Sequence, residues 1–280
     1  MIPGTVGVIG VGLLGGSLVR ALRALHPSPR IVAVEPDPAV RARLIEESLC
    51  DTVCAVPDEA LREADLVVLA TPVAVLEGLL GPTSRCMRDG ATLTDVAGVK
   101  APLVAAAGRL VRPAVGFVGA HPMFGGERGG FAASRADRWA GGVVAVCTDG
   151  DRAHVERVAL FHRALGADVV TCTASEHDAA VAVVSHVPYV LACALAAVGA
   201  NAGPLAARLA GRGWADSTRL AGFAYDVQGE VVRRNAHVDG ALDAVETALS
   251  RLRAALADPH DPDGARAAFE AIRQARSGAS

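Results

Sequence analysis

The chain has 280 residues, which at ~100–200 residues per domain gives one large domain or two modest ones. Hydrophobic residues make up 51% and charged residues 20%, so a packed core is readily built and wholesale disorder is excluded. Lys and Arg total 27 against 30 Asp and Glu, a net charge of −3 with no tract of like charge. That excludes a large basic face for a nucleic-acid backbone.

The first ~170 residues alternate short apolar runs with amphipathic stretches. Val6–Ile9, Ile31–Val34, Leu66–Ala70, Thr92–Thr94 and Gly116–Gly119 read as buried strands. Leu14–Leu25, Pro38–Glu47 and Ala101–Leu110 read as helices between them. This alternation predicts an α/β fold, a doubly wound parallel sheet of the Rossmann type. Val143–Cys147, Arg152–Leu165 and Asp168–Cys172 add a strand, a helix and a strand. After Thr173 the strand runs stop. Glu176–Gly199, Pro204–Gly211, Ser217–Phe223, Val227–Leu256 and Asp263–Arg276 read as helices. The expected division is therefore 1–173, a nucleotide-binding domain, and 174–280, an all-α domain. Its helices are apolar on more than one face, which suits burial against a second subunit. Val183–Ala200 is apolar enough to raise the membrane question. Its Ser185, His186, Pro188 and Tyr189 favour a buried core helix.

The six cysteines, Cys50, Cys54, Cys86, Cys147, Cys172 and Cys193, form no CxxC and no zinc spacing. They read as reduced, buried thiols of a cytoplasmic protein, and no metal site is expected. The N-terminus lacks a charged segment ahead of its apolar run and does not read as a signal peptide.

Gly10-Val11-Gly12-Leu13-Leu14-Gly15 follows the first strand and opens the first helix. The next strand ends at Glu35, 20 residues after Gly15. GxGxxG in that context is a dinucleotide-binding signature. Gly10 permits the turn, Gly12 lets a pyrophosphate approach the backbone, and Gly15 lets helix and sheet pack closely. The helix N-terminus offers unpaired N–H donors. Glu35 suits a ribose hydroxyl and repels a 2′-phosphate, and Pro36-Asp37 bring no Arg to receive one, so NAD is expected over NADP. Thr71-Pro72, just past a strand end, either lie along the cofactor or form an ordinary turn.

His121 directly follows the sheet's last strand, at the edge where ligands bind in such folds, and imidazole can act as a general base near neutral pH. The alternative is a structural histidine. His177, in Glu176-His177-Asp178, reads as a hydrogen-bonded core residue. Pro188 should kink its helix beside His186. Asp216 or Ser217 reads as the N-cap of a helix carrying Arg219. Arg219 itself either grips a carboxylate or pairs with Asp216. Lys100 is the single lysine among 27 basic residues, either a compact ammonium near the nicotinamide or a surface residue.

The segments GVIGVGLLGGS, TDVAGVK, GAHPMFGGERGG, EHDAAVAVVSHVPY and DSTRL, in this order, resemble the prephenate dehydrogenase (TyrA) family, which includes arogenate dehydrogenases. The resemblance spans roughly residues 5–255. It implies a Rossmann domain followed by a helical dimerisation domain, a homodimer, and NAD(P)-linked oxidative decarboxylation of a cyclohexadienyl ring. By motif, His121 would take the proton of the ring C4 hydroxyl as hydride leaves C4, while His186 and Arg219 would help bind substrate. Three positions depart from the common pattern. Gly98 stands where many members have Ser beside the C4 hydroxyl, Tyr189 where His is frequent, and Gly126 where Thr is frequent. Gly98 leaves room for a substrate with a different C4 substituent, as in the 4-amino-4-deoxyprephenate dehydrogenases. Neither a regulatory ACT domain nor a fused chorismate mutase is expected. Hydroxyisobutyrate-type dehydrogenases need a lysine in the helical domain, and none follows Lys100. An imine reductase would leave His121 and Arg219 without roles. An inactive NAD-binding sensor remains as the reading from another class.

Overall fold

The computed structural model describes residues 2–126, 129–257 and 261–278. Contacts divide the chain into two compact units, 1–236 and 237–280. The boundary by contact therefore falls well past the change of texture at Thr173, because the first helices of the all-α half pack on the α/β half.

In the first unit β1 (Thr5–Ile9), β2 (Arg30–Val34), β3 (Thr52–Cys54), β4 (Leu66–Leu69), β5 (Thr92–Asp95) and β6 (Gly116–Val118) form one parallel sheet, in the order β3-β2-β1-β4-β5-β6. The order reverses between β1 and β4, where Ile9 pairs with both Val34 and Leu69. That reversal opens the crevice in which such sheets take ligands. The strands are apolar on both faces. Val6, Val8, Leu66 and Val68 belong to one layer of core, and Ile9, Val67, Leu69 and Leu93 to the other. Each such side chain contributes about 1.5–3 kcal/mol on burial.

α1 (Leu13–Arg23), α2 (Pro38–Glu46), α3 (Val73–Cys86) and α4 (Ala101–Leu110) fill the crossovers. The sequence reading contained neither β3 nor α3. β3 is only three residues long, and α3 carries Gly78, Gly81 and an internal Pro82, residues that ordinarily argue against a helix.

A second, three-stranded sheet follows. β7 (Ala120–Pro122) runs antiparallel to β8 (Val143–Cys147), and β9 (Asp168–Cys172) lies parallel to β8 after the crossover helix α5 (Arg152–Ala164). His121, just past β6 as expected, lies within a short strand of the second sheet, opposite Ala145.

α6 (Ala174–Val181) starts with a reciprocal cap. Thr173 Oγ1 accepts from the Glu176 N–H at 3.2 Å, and Glu176 Oε2 accepts from the Thr173 N–H at 2.7 Å. A widened π turn, 182–186, then leads into α7 (Val187–Ala200). Pro188 lacks the N–H that would close the regular turn onto Val184, which accounts for the widening. α8 (Pro204–Leu209) and α9 (Arg212–Thr218) come next, then a π turn at 225–229 and α10 (Glu230–Arg234). The continuous helix read over Val227–Leu256 is broken at Asn235. The second unit contains α11 (Val238–Ala257) and α12 (Pro262–Gly278).

Two expectations about burial change. Ala174–Ala200 has a most apolar window of mean hydropathy 2.1, long and apolar enough to cross a membrane by length and composition, yet only 28% of it is buried. Within one chain it is therefore not a core helix. Of the six thiols only Cys147 is buried; the other five are half-buried, and all six are free.

Candidate active site

The glycine loop shows what each glycine is for. Gly10 has φ +83°, and a Cβ there would stand 2.7 Å from Thr71 Cγ2. A Cβ on Gly15 would lie 1.9 Å from the Gly10 carbonyl oxygen, so helix and strand meet there by backbone contact. A Cβ on Gly12 would meet nothing within 4 Å. The open space lies over the N-terminus of α1, which has no side-chain cap and no acid in its first turn. Leu13 and Leu14 open that turn, and Thr71 Oγ1 is buried without a hydrogen-bond partner. Pro72 then starts α3. An uncapped helix end, open space and an unpartnered hydroxyl fit a dinucleotide pyrophosphate.

Glu35 is buried. Its carboxylate accepts from the Val11 N–H at 2.7 Å and from the Asp37 N–H at 2.9 Å. Each oxygen retains a lone pair for a ribose hydroxyl. The expectation that no Arg stands nearby is corrected. Arg41, one turn into α2, donates to the carbonyls of Glu35 and Pro36 at 2.9 and 2.7 Å. The helix brings back a guanidinium that the adjacent sequence lacks.

Past β5 the chain reaches Gly98 and Lys100. Lys100 is neither a surface residue nor free to reach a ligand. It is fully buried, its ammonium pairs with the buried Asp95, and it donates to the Ala120 carbonyl at 2.8 Å. Asp95 also accepts from the N–H groups of Ala97 and Ala120. This pair ties β5 to β7 and so fixes where His121 stands. A branched, planar guanidinium does not substitute for a compact ammonium in such a site.

His121 Nδ1 lies 2.9 Å from His177 Nε2. His177 Nδ1 lies 2.7 Å from Asp178 Oδ1. Asp178 also accepts from the N–H groups of Lys100 and Ala101, each at 2.8 Å, and so caps α4 from a distant part of the chain. Those donors outweigh burial and hold the Asp178 carboxyl below its usual range. Burial, together with His177, Lys100 and His186, keeps His121 well below the ordinary imidazole value, so it is neutral. A Cβ on Gly98 would stand 3.5 Å from His121 Nε2 and 3.0 Å from Val231 Cγ1. The unused nitrogen of His121 therefore faces a glycine.

His186, expected from the resemblance to help bind substrate, is buried, and its Nδ1 is engaged within the protein. Nδ1 accepts from Asn235 Nδ2 at 3.0 Å. Burial has the larger effect and lowers its pKa, while the Gly98 backbone stands close enough to the ring to favour its charged form. Asn235 Nδ2 also donates to the Asp178 carbonyl at 2.7 Å. His186 thus bears on the site through Gly98. Tyr189 faces Cys193 one turn along α7; burial and that thiol raise its phenol above the ordinary value. Asp216 and Ser217 do not cap a new helix, because they lie in the last turn of α9, whose N-cap is Gly211. Asp216 pairs with Arg212 at 3.8 Å, and Arg219, exposed, opens the 3-10 turn after α9. Gly126 is half-buried beside Gly125, whose carbonyl accepts from Arg138. Glu127 lies outside the described residues.

Residues 18–171 match the family pattern described as "Prephenate dehydrogenase, nucleotide-binding domain", and residues 173–269 match its "dimerization domain". The chain belongs to the prephenate dehydrogenase family. The prephenate dehydrogenase of Bacillus subtilis is 28% identical over 224 residues, 78% of this chain and 60% of that protein. The "Probable prephenate dehydrogenase NovF" of Streptomyces niveus is 30% identical over 267 residues, 93% of this chain and 71% of that protein. The chain thus spans about 60% of the length of the Bacillus relative and of a Lactococcus lactis one. Among solved structures, the fold is that of the Aquifex aeolicus prephenate dehydrogenase, described in complex with hydroxyphenyl propionate and NAD+ (TM-score 0.90, 23% identity, 100% of this chain and 99% of that one). It is also that of a putative prephenate dehydrogenase from Corynebacterium glutamicum (TM-score 0.88, 29% identity, 100% and 91%).

Proposed function

We propose that the protein catalyses the NAD-dependent oxidative decarboxylation of prephenate or arogenate to an aromatic product, the tyrosine-forming step. The observation that carries this reading is His121, whose unused Nε2 faces Gly98, past the end of β5 in the same sheet whose glycine loop fits a dinucleotide. Bound NAD supplies the hydride acceptor. As hydride leaves ring C4, His121 Nε2 takes the proton of the C4 hydroxyl. The bond to the ring carboxylate then breaks, its electron pair completes the aromatic ring, and CO2 departs. Aromatisation drives the reaction, so the protein mainly orients the ring and provides the base.

In this reading Arg219 binds a substrate carboxylate bidentately. Domains 1–173 and 174–280 bind cofactor and form a homodimer respectively. The exposed apolar side chains Leu191, Leu195 and Val198 of α7 and the family's dimerisation domain support that assembly.

One observation favours a second substrate. No side-chain hydroxyl stands at Gly98 next to His121 Nε2, which suits an amino group at C4, as in 4-amino-4-deoxyprephenate. Formation of NADH from prephenate, arogenate and the amino compound, followed side by side, tests both. Preference for prephenate or arogenate upholds the first reading, and preference for the amino compound replaces it with the second. Turnover of none, with NAD still bound, supports a sensor.

A further inference from the structure

We propose that His177 and Asp178 are positioning residues that hold His121 in the tautomer with its proton on Nδ1 and its lone pair on Nε2. The proposal rests on the reading that His121 receives the substrate proton.

The ring protons follow from the hydrogen-bond network, taken from its fixed end. Asp178 accepts two backbone N–H groups at the start of α4 and is buried. As a carboxylate it has no proton to give, so at 2.7 Å His177 Nδ1 must be the donor. With one ring proton on His177, committed to Asp178, its lone pair lies on Nε2. At 2.9 Å from that lone pair, His121 Nδ1 must in turn donate. A neutral His121 is left with a bare Nε2, the nitrogen that faces Gly98. Without His177 the two neutral tautomers of His121 would compete, and one of them points an N–H at the group it should deprotonate. The string has a second consequence. When Nε2 takes a proton, the positive charge of His121 lies two hydrogen bonds from the Asp178 carboxylate, which offsets part of the cost that burial and the neighbouring groups set on that charge.

The cap formed by Thr173 and Glu176 fixes the start of α6, and both His177 and Asp178 are buried there. Asp178 cannot serve as the test position, because its loss also uncaps α4. His177 can.

The experiment is long-range proton–nitrogen correlation NMR of the full chain with labelled histidine and NAD bound, together with kinetics of His177→Phe and His177→Gln. In the unaltered protein His121 is expected to show a protonated Nδ1 and a bare Nε2. His177→Phe should mix the tautomers and lower kcat about 10- to 100-fold, with KM and NAD affinity within about twofold. In His177→Gln the amide oxygen can accept from Nδ1, so the tautomer and most of kcat should return. A protonated Nε2 on His121 in the unaltered protein would overturn the proposal, as would undiminished kcat in His177→Phe. If the unaltered protein oxidises no cyclohexadienyl substrate, the functional reading fails, while the NMR result still decides the tautomer.

Discussion

The cluster around His121 and the outer face of α7 are finished in different ways. His177, Asp178, His186 and Asn235 are buried, and each has its partners within the chain. Along α7 only Val187 and Ala192 are buried, and Leu191, Leu195 and Val198 stay exposed. In the proposed function one chain supplies the base and its orientation, and the exposed apolar side chains of α7 suit a second copy. Proton chemistry needs side chains fixed to a fraction of an ångström, which a buried hydrogen-bond network provides. Association needs only apolar area, which can stay open until the partner arrives.

The largest expected effect breaks the finished side. Lys100→Met leaves Asp95 buried without a counter-charge and should lower stability by about 3–5 kcal/mol, read from denaturant unfolding. Next comes a pair of substitutions in the cofactor cradle. Gly15→Ala drives a methyl into the Gly10 carbonyl and should lower stability by about 1–3 kcal/mol. Gly12→Ala meets open space and should leave stability within about 0.5 kcal/mol while weakening NAD binding in a titration.

Acidification also acts on the buried side. His162 is pushed from its ordinary 6.5 down to about 3 by burial, while its Nδ1 accepts from Trp139 Nε1. Burial lowers His121 and His186 as well. Below pH 6.5 the unfolded chain therefore binds more protons than the folded one, so stability is complete above that value and lost on the way down to about pH 3. Each such group gives a slope of at most about 1.4 kcal/mol per pH unit. His162→Gln keeps an acceptor for Trp139 and should flatten the fall of Tm between those values. The smallest effect on the fold belongs to the open side. Leu195→Arg should leave the unfolding transition of the single chain unchanged, and sedimentation should show a shift from dimer to monomer.

Where a function depends on a short run of residues, the sequence reveals it. Gly10, Gly12, Gly15 and Glu35 are legible because the turn and helix between two successive strands hold the glycines, and Glu35 ends the second strand's run. The site around His121 depends on pairings of 56 and 78 residues' separation, His121 with His177 and Lys100 with Asp178, and no local pattern announces those. One further signal is local. Thr173 followed three residues later by Glu176 marks a helix start, and it fixes the register that buries both His177 and Asp178. Lys100 is conspicuous in the sequence by its rarity, but its reason, a buried partner five residues back at Asp95, appears only once β5 and β7 are in place. The bare helix break at Asn235 is likewise invisible without its partners His186 and the Asp178 carbonyl.

The role of His121 as the base is decided by His121→Asn, with NAD affinity and NADH formation measured on the same preparation. If His121 is the base, NAD affinity stays unchanged and turnover falls by a factor on the order of 10² to 10⁴. Turnover close to that of the unaltered enzyme would contradict it.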